Sequence, residues 1–229
     1  MTKEEFLEGK VLLIDKPLEW TSFQAVNKIR WHIKKQFGLK KIKVGHAGTL
    51  DPLATGLLII CTGKKTKSIN EYQAQEKEYT GSIYLGATTP SYDLETEVNQ
   101  IFETSHITSE LIYETTIKFV GEIDQKPPIY SAIKKDGKRL YDIARKGETT
   151  EIKSRKVNIT SFEITKIEMP LVEFRVSCSK GTYIRSLAND FGEALNSGAY
   201  LASLRRTKIG DFSVTDGLSI DDFIDQLKA

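Results

Sequence analysis

The chain has 229 residues, 39% of them hydrophobic and 28% charged, with a formal net charge of only +2. That balance describes a globular protein able to build its own core, and excludes a disordered or low-complexity chain. No apolar run approaches the roughly 20 residues of a membrane span, and Met1 to Gly9 is polar and acidic rather than a secretory signal, so a cytoplasmic protein without a membrane partner is expected.

In chain order, Lys10 to Asp15 is a short apolar run fit for a buried strand, ended by Lys16-Pro17. Ser22 is the expected N-cap of a helix whose stripe is Phe23, Val26, Ile29, Ile33 and Phe37, stopped by Gly38. Residues 43–56, with three glycines and a proline, read as a loop. Leu57 to Cys61 reads as a buried strand, Lys64 to Tyr72 as a short helix, Tyr79 to Leu85 as an alternating strand, and Thr88 to Gln100 as an exposed acidic loop. Helical character returns over Thr108 to Val120 and Arg139 to Lys146, with Gln125 to Ser131 extended around Pro127-Pro128. Val157 to Ile167 and Val172 to Cys178 are strand-like, joined by a turn near Pro170. Thr182 is the expected cap of a helix with the stripe Ile184, Leu187, Phe191 and Leu195, and Ser219 with Asp222 caps a last one. Strands and helices mix without a regular βαβ rhythm, which favours α+β. Cys61 and Cys178 lie in apolar runs and read as buried free thiols; with three scattered histidines they offer no zinc spacing.

Charge is distributed unevenly. Residues 20–70 hold ten bases and one acid, while the remaining 178 residues hold 23 bases and 30 acids. A basic face and a polyanionic partner follow. The lone acid is Asp51, in the run Gly45-His46-Ala47-Gly48-Thr49-Leu50-Asp51-Pro52-Leu53-Ala54-Thr55-Gly56. Flanking positive charge favours an ionised carboxylate, able to act as nucleophile, base or electrostatic stabiliser; an Asp bonding its own turn is the plainer reading. Arg185 falls in a first helical turn, where a cation opposes the helix dipole, a placement that makes sense beside an anion such as Asp51. Tyr79 opens a strand and is either core or a stacking or proton-transfer group. His46 is either a loop-holding hydrogen-bond donor or a phosphate or base contact. Lys64, Lys65, Lys67 and Arg205-Arg206 are either phosphate contacts or solvated charges. Phosphate-loop, dinucleotide and nucleophile-elbow motifs are all missing.

The Asp51 run resembles the catalytic motif of the TruB family of tRNA pseudouridine synthases. Asp15-Lys16-Pro17 with Thr21-Ser22, Lys77-Glu78-Tyr79, Pro127-Pro128-Ile129-Tyr130-Ser131-Ala132 with Lys134 and Gly137-Lys138, Cys178-Ser179-Lys180-Gly181-Thr182-Tyr183-Ile184-Arg185, and Leu204-Arg205-Arg206 resemble other family segments, in family order over about residues 9–210. The resemblance implies a pseudouridine synthase catalytic fold, a mixed and mainly antiparallel sheet flanked by helices and loops, as a single domain over 1–229. It implies conversion of uridine 55 in the tRNA T loop to pseudouridine after base flipping, with no cofactor and no metal. Asp51 is then the catalytic aspartate, Tyr79 the aromatic beside the target base, and Arg185 the partner of the Asp51 carboxylate. His46, Lys16, Lys64, Lys67, Tyr183 and Arg205 are the expected RNA-contact residues, Lys16 by building the pocket. A monomer acting on the tRNA T arm, with no obligate protein partner, is expected. Many family members carry a C-terminal RNA-binding PUA domain, for which this chain is too short. A non-enzymatic RNA-folding protein and a guide-RNA-dependent synthase are the alternatives.

Overall fold

The structure, a computed structural model, describes residues 1–131, 133–135, 137–148 and 150–228. Ala132 of the Pro127-Pro128 segment therefore lies outside the described residues. The main helices are α1 (Lys3–Glu8), α2 (Ser22–Gln36), α3 (Ile69–Ala74), α4 (Ser109–Ile117), α5 (Leu140–Ala144), α6 (Ile184–Ala194) and α7 (Ile220–Lys228). The main strands are β1 (Val11–Lys16), β2 (Val44–His46), β3 (Ala54–Thr62), β4 (Lys77–Leu85), β5 (Gly121–Gln125), β6 (Arg155–Glu168), β7 (Leu171–Cys178) and β8 (Ala199–Ile209). The chain divides into two compact units, Met1–Tyr79 with Leu204–Ala229, and Thr80–Ser203. Both β4 and β8 contribute residues to each.

The first unit is organised around β3. β1 runs antiparallel along one edge, Val11 opposite Cys61 through Lys16 opposite Gly56. The other edge is shared. β2 pairs antiparallel with the end of β3, and β8 pairs parallel with its start, Leu204 opposite Ala54 through Arg206 opposite Gly56. Each of the strand's residues from Gly56 to Thr62 is buried because both faces are covered, which explains its unbroken apolar run. Leu58 and Ile60 face a core with Ile29 and Ile33 of α2 and Phe223 and Ile224 of α7. Leu57, Ile59 and Cys61 face Ile69, Tyr72, Ile209 and Phe212. Each such side chain removed from water contributes about 1.5–3 kcal/mol.

Two details of α2 differ from the sequence expectation. Thr21, not Ser22, is the N-cap, in a capping box with Gln24. Phe23, placed on the apolar stripe by spacing, is 64% exposed. Ser22 has moved to the buried face because its hydroxyl is needed elsewhere.

In the second unit the strand order is β4-β7-β6-β5, with β6 antiparallel to both its neighbours. Phe162, Phe174 and Phe191 form a chain of edge-on ring contacts, with Phe119 joining after α4. Val172, Phe174, Val176 and Cys178 are all buried, as their alternation requires, and so are Ile184, Leu187, Phe191 and Leu195 along α6. The cap of α6 is Tyr183 rather than Thr182. The loop expected over 88–100 is exposed along most of 94–100, but its first part departs from expectation: Thr89, Ser91 and Asp93 are buried, so these polar side chains turn inward.

Candidate active site

Asp51 sits on the connection between β2 and β3, and its backbone is pinned on both sides. Before it, the Ser22 hydroxyl accepts from the Leu50 N–H at 2.9 Å and donates to the Leu50 carbonyl at 3.1 Å. After it, the Pro52 carbonyl accepts from Glu19 N–H, and the Asp51 carbonyl from Ala54 N–H. Beneath the loop lies Arg206, 1% exposed. Its Nε donates to the Leu57 carbonyl at 2.8 Å and its Nη2 to the Gly48 carbonyl at 3.1 Å, so one guanidinium ties the two arms of the connection together. A buried arginine carries a desolvation cost that only full hydrogen bonding offsets. Gly56 makes this approach possible. Its φ is +103°, and a Cβ there would stand 2.3 Å from the Arg206 carbonyl oxygen.

Lys16 is fully buried, and its Nζ donates to the carbonyls of Pro17 at 2.8 Å and Trp20 at 2.6 Å. Burial lowers its pKa to about 8; Arg206 pushes the same way, while Asp51 and Asp15 favour the charged form. Lys16 thus shapes the turn into α2 and sets a buried positive charge within reach of Asp51. His46 ends β2 with Nδ1 buried, and burial, reinforced by Arg206, lowers its pKa against an opposing contact with the Gly48 backbone. The imidazole is therefore neutral at physiological pH.

Arg205 is the neighbour of Arg206 but points differently. It forms a two-pronged ion pair with Asp15, at 3.0 and 2.7 Å. Lys64 is exposed and pairs with both oxygens of Glu8 at 2.9 Å, a surface contact worth at most about 1 kcal/mol and easily exchanged for a phosphate. Lys67 is exposed. Tyr79, 9% exposed, is the third residue of β4, whose start is fixed by the Lys77 ammonium on the carbonyls of Gln73 and Gln75 and by the Thr207 hydroxyl on Glu78.

Tyr183 and Arg185 belong to the second unit. Arg185, 4% exposed, has its Nε 3.5 Å from Asp93 Oδ2 and donates to the Ser91 carbonyl. The inward-turned Asp93 thus supplies an anion that offsets the adverse helix dipole. The Asp93 backbone is itself held, its carbonyl accepting from the hydroxyls of Thr89 and Ser91. Tyr183 is gripped by buried Gln125, which accepts from its N–H at 2.8 Å and donates to its carbonyl at 3.0 Å. The Arg155 guanidinium stacks 4.7 Å from the Tyr183 ring centroid.

Sequence reasoning missed Asp93, Gln125 and the bracing role of Arg206. For Asp93 a signal existed in the alternation of small polar residues at 89, 91 and 93; for Gln125, only its position before Pro127-Pro128. Among the described residues, no group of three or more His, Cys, Asp or Glu side chains is placed to hold a metal ion, and no helix is long and apolar enough to cross a membrane. Asp51 thus stands on a braced loop, with buried Arg206 beneath the loop and buried Lys16 close enough for their charges to interact.

Residues 34–184 match the model of the TruB family pseudouridylate synthase N-terminal domain, and residues 185–229 that of the tRNA pseudouridylate synthase B C-terminal domain. The chain belongs to the TruB family of pseudouridylate synthases. It is 66% identical to a tRNA pseudouridine synthase B of Flavobacterium johnsoniae over 229 residues, the whole of both chains. It is 58% identical to one of Phocaeicola vulgatus over 218 residues, 95% of this chain and 93% of the other. Among solved structures, a chain of a Cbf5-Nop10-Gar1 complex superimposes with a TM-score of 0.73 at 30% identity, covering 97% of this chain but only 55% of that one.

Proposed function

We propose that this protein isomerises uridine 55 in the T loop of tRNA to pseudouridine, with Asp51 as the catalytic residue. The observation that carries this reading is the placement of Asp51. It is the one carboxylate of residues 20–70 and stands on a loop braced by Ser22, Arg206 and the β3 backbone. A turn residue that only bonded its own backbone would not need a buried guanidinium and a buried serine to hold its neighbours. Full-length likeness to tRNA pseudouridine synthases B supports a tRNA substrate and acting without a guide RNA.

The chemistry asks for few groups. The target base leaves its stack, at a cost of a few kcal/mol that an open loop reduces. Asp51 attacks the ribose at C1′, displacing uracil, or assists loss of the 2′ proton, which is later returned, or attacks C6 of the base; in each route the C1′–N1 bond breaks, uracil turns and bonds C1′ through C5, and the C5 proton is lost as N1 gains one. Rigid anchoring supplies orientation, which is worth several kcal/mol of barrier. Tyr79 is proposed as the aromatic beside the flipped base, and Arg185 as the partner that orients the Asp51 carboxylate. His46 and the exposed Lys64 and Lys67 hold the T loop, and Arg205, Tyr183 and Lys16 shape the surface on which it rests. No cofactor takes part. The protein works as one catalytic domain and a monomer, in the cytoplasm.

The test is incubation of unmodified tRNA and of an isolated T-arm hairpin with the protein alone, with pseudouridine mapped by nucleotide. Product at the T-loop uridine of both is expected. Asp51→Asn should bind tRNA within about twofold of the parent and lose at least three orders of magnitude in kcat. Near-normal turnover by that variant would remove Asp51 from the mechanism.

A further inference from the structure

α2 starts at Ser22, which is bonded to Leu50 beside Asp51, and carries an unusual outer face. Its buried side is Ser22, Ala25, Val26, Ile29 and Ile33. At 100° per residue, the opposite side gathers Phe23, Asn27, Trp31 and Lys34, flanked by Lys28 and Lys35. Phe23 is 64% and Trp31 53% exposed. No residue of α2 is a carboxylate, and among the described residues none of Lys28, Lys34 and Lys35 forms an ion pair; beyond the helix end at Gln36 the chain carries exposed Lys40, Lys41 and Lys43. Neither ring serves the buried side of α2, and the lysines around them leave a local excess of positive charge, with Asp221 of α7 the acid whose charge reaches His32. The Lys35 Nζ stands 4.9 Å from the Trp31 ring centroid, so the ring is presented to cations and to planar groups. The His32 ring packs edge-on against it at 4.6 Å and holds its orientation.

We propose that this face of α2 is a second RNA-contact surface, on which a stretch of the substrate tRNA outside the T loop lies, with an unpaired base stacked on Trp31 and phosphates met by Lys28, Lys34 and Lys35. The inference rests on the tRNA reading above and deepens it. Distance separates the two contacts: Trp31 is nine residues beyond Ser22, about 13 Å along the axis, and the end of α2 is about 21 Å away. A nucleotide turned out at Asp51 does not reach that far. Exposed aromatics among unpaired bases are the elements with which proteins hold single-stranded nucleic acid, the ring supplying stacking and the cations tracking the backbone.

Affinity and turnover are measured separately on full-length unmodified tRNA and on the isolated T-arm hairpin, for the parent, Trp31→Ala, Trp31→Phe and the combined Lys28→Gln, Lys34→Gln, Lys35→Gln variant. Trp31→Ala is expected to weaken tRNA binding about tenfold and to leave hairpin binding and kcat on both RNAs unchanged. Trp31→Phe should restore most of the loss, because a smaller ring still stacks. The lysine variant should bind tRNA less tightly with a shallower salt dependence, again sparing the hairpin. Equal losses on hairpin and tRNA, no loss on tRNA, or loss only of an acidic protein's binding would each overturn the proposal. If the parent forms no pseudouridine on either RNA while Trp31→Ala still loses tRNA affinity, the surface stands and the reaction falls. Normal turnover by the parent with unchanged tRNA affinity in the variants removes the surface alone.

Discussion

Lys16 is a residue whose charge depends on the fold around it. Burial brings its pKa to about 8, against an ordinary lysine value of 10.5. Between those two values the unfolded chain holds a proton at this position and the folded chain does not. Stability therefore rises with pH across that window, and below it the fold carries the cost of a buried ammonium. The catalytic consequence has the opposite sign. The positive charge near Asp51 is present below about pH 8 and lost above it. A pH profile of kcat at saturating tRNA should show an alkaline limb centred near pH 8, and Lys16→Arg, which keeps its proton, should move that limb upward; a flat profile to pH 9.5 would mean that this charge does nothing in the reaction. Arg206 is the other residue on which the loop depends, and its two carbonyl acceptors are set to a fork that a lysine does not reproduce.

At the scale of elements, the narrow point is where β3 meets β8. Gly56 faces Arg206 across the parallel pair in a left-handed conformation, so an alanine there meets both an unfavourable φ and the Arg206 backbone. Gly56→Ala should cost about 3 kcal/mol, read as a shift in the denaturant midpoint at unchanged m value. Little of this junction was legible beforehand, because parallel pairing of residues about 150 positions apart leaves no local pattern. What was legible followed periodicity. The alternation of β7 and the stripe of α6 appeared where their apolar residues stand, and Ser219 does cap α7 through Asp222. Periodicity failed where a polar residue serves another segment. Ser22 is turned inward by Leu50, and Asp93 is buried by Arg185, so composition alone misplaced both. Phe23 failed in the reverse sense, as an apolar residue left in water by the stripe it was assigned to. Asp51 was visible as an isolated acid; its bracing was not, since Arg206 lies at the far end of the chain.

For the whole molecule, charge is the property that matters. Ten of the 33 bases sit in residues 20–70 with one acid, and the net charge of +2 conceals that field. Binding that depends on such a field is driven by counterion release, so tRNA affinity should fall about a hundredfold between about 50 and about 200 mM monovalent salt if roughly four phosphates are neutralised. Filter binding across that range measures it, and a salt-independent affinity would place the driving force elsewhere.

The discontinuity of the first unit also sets an order in time. Asp51 is made early, but Arg206, which ties Gly48 to Leu57 beneath it, is translated last among the residues of that brace. At ordinary elongation rates the interval between them is on the order of ten seconds. Throughout it, a growing chain holds the Asp51 carboxylate and much of its basic surface without the guanidinium that fixes the loop. A chain not yet extended to Arg206 should therefore lack the tie between Gly48 and Leu57 that braces the Asp51 loop.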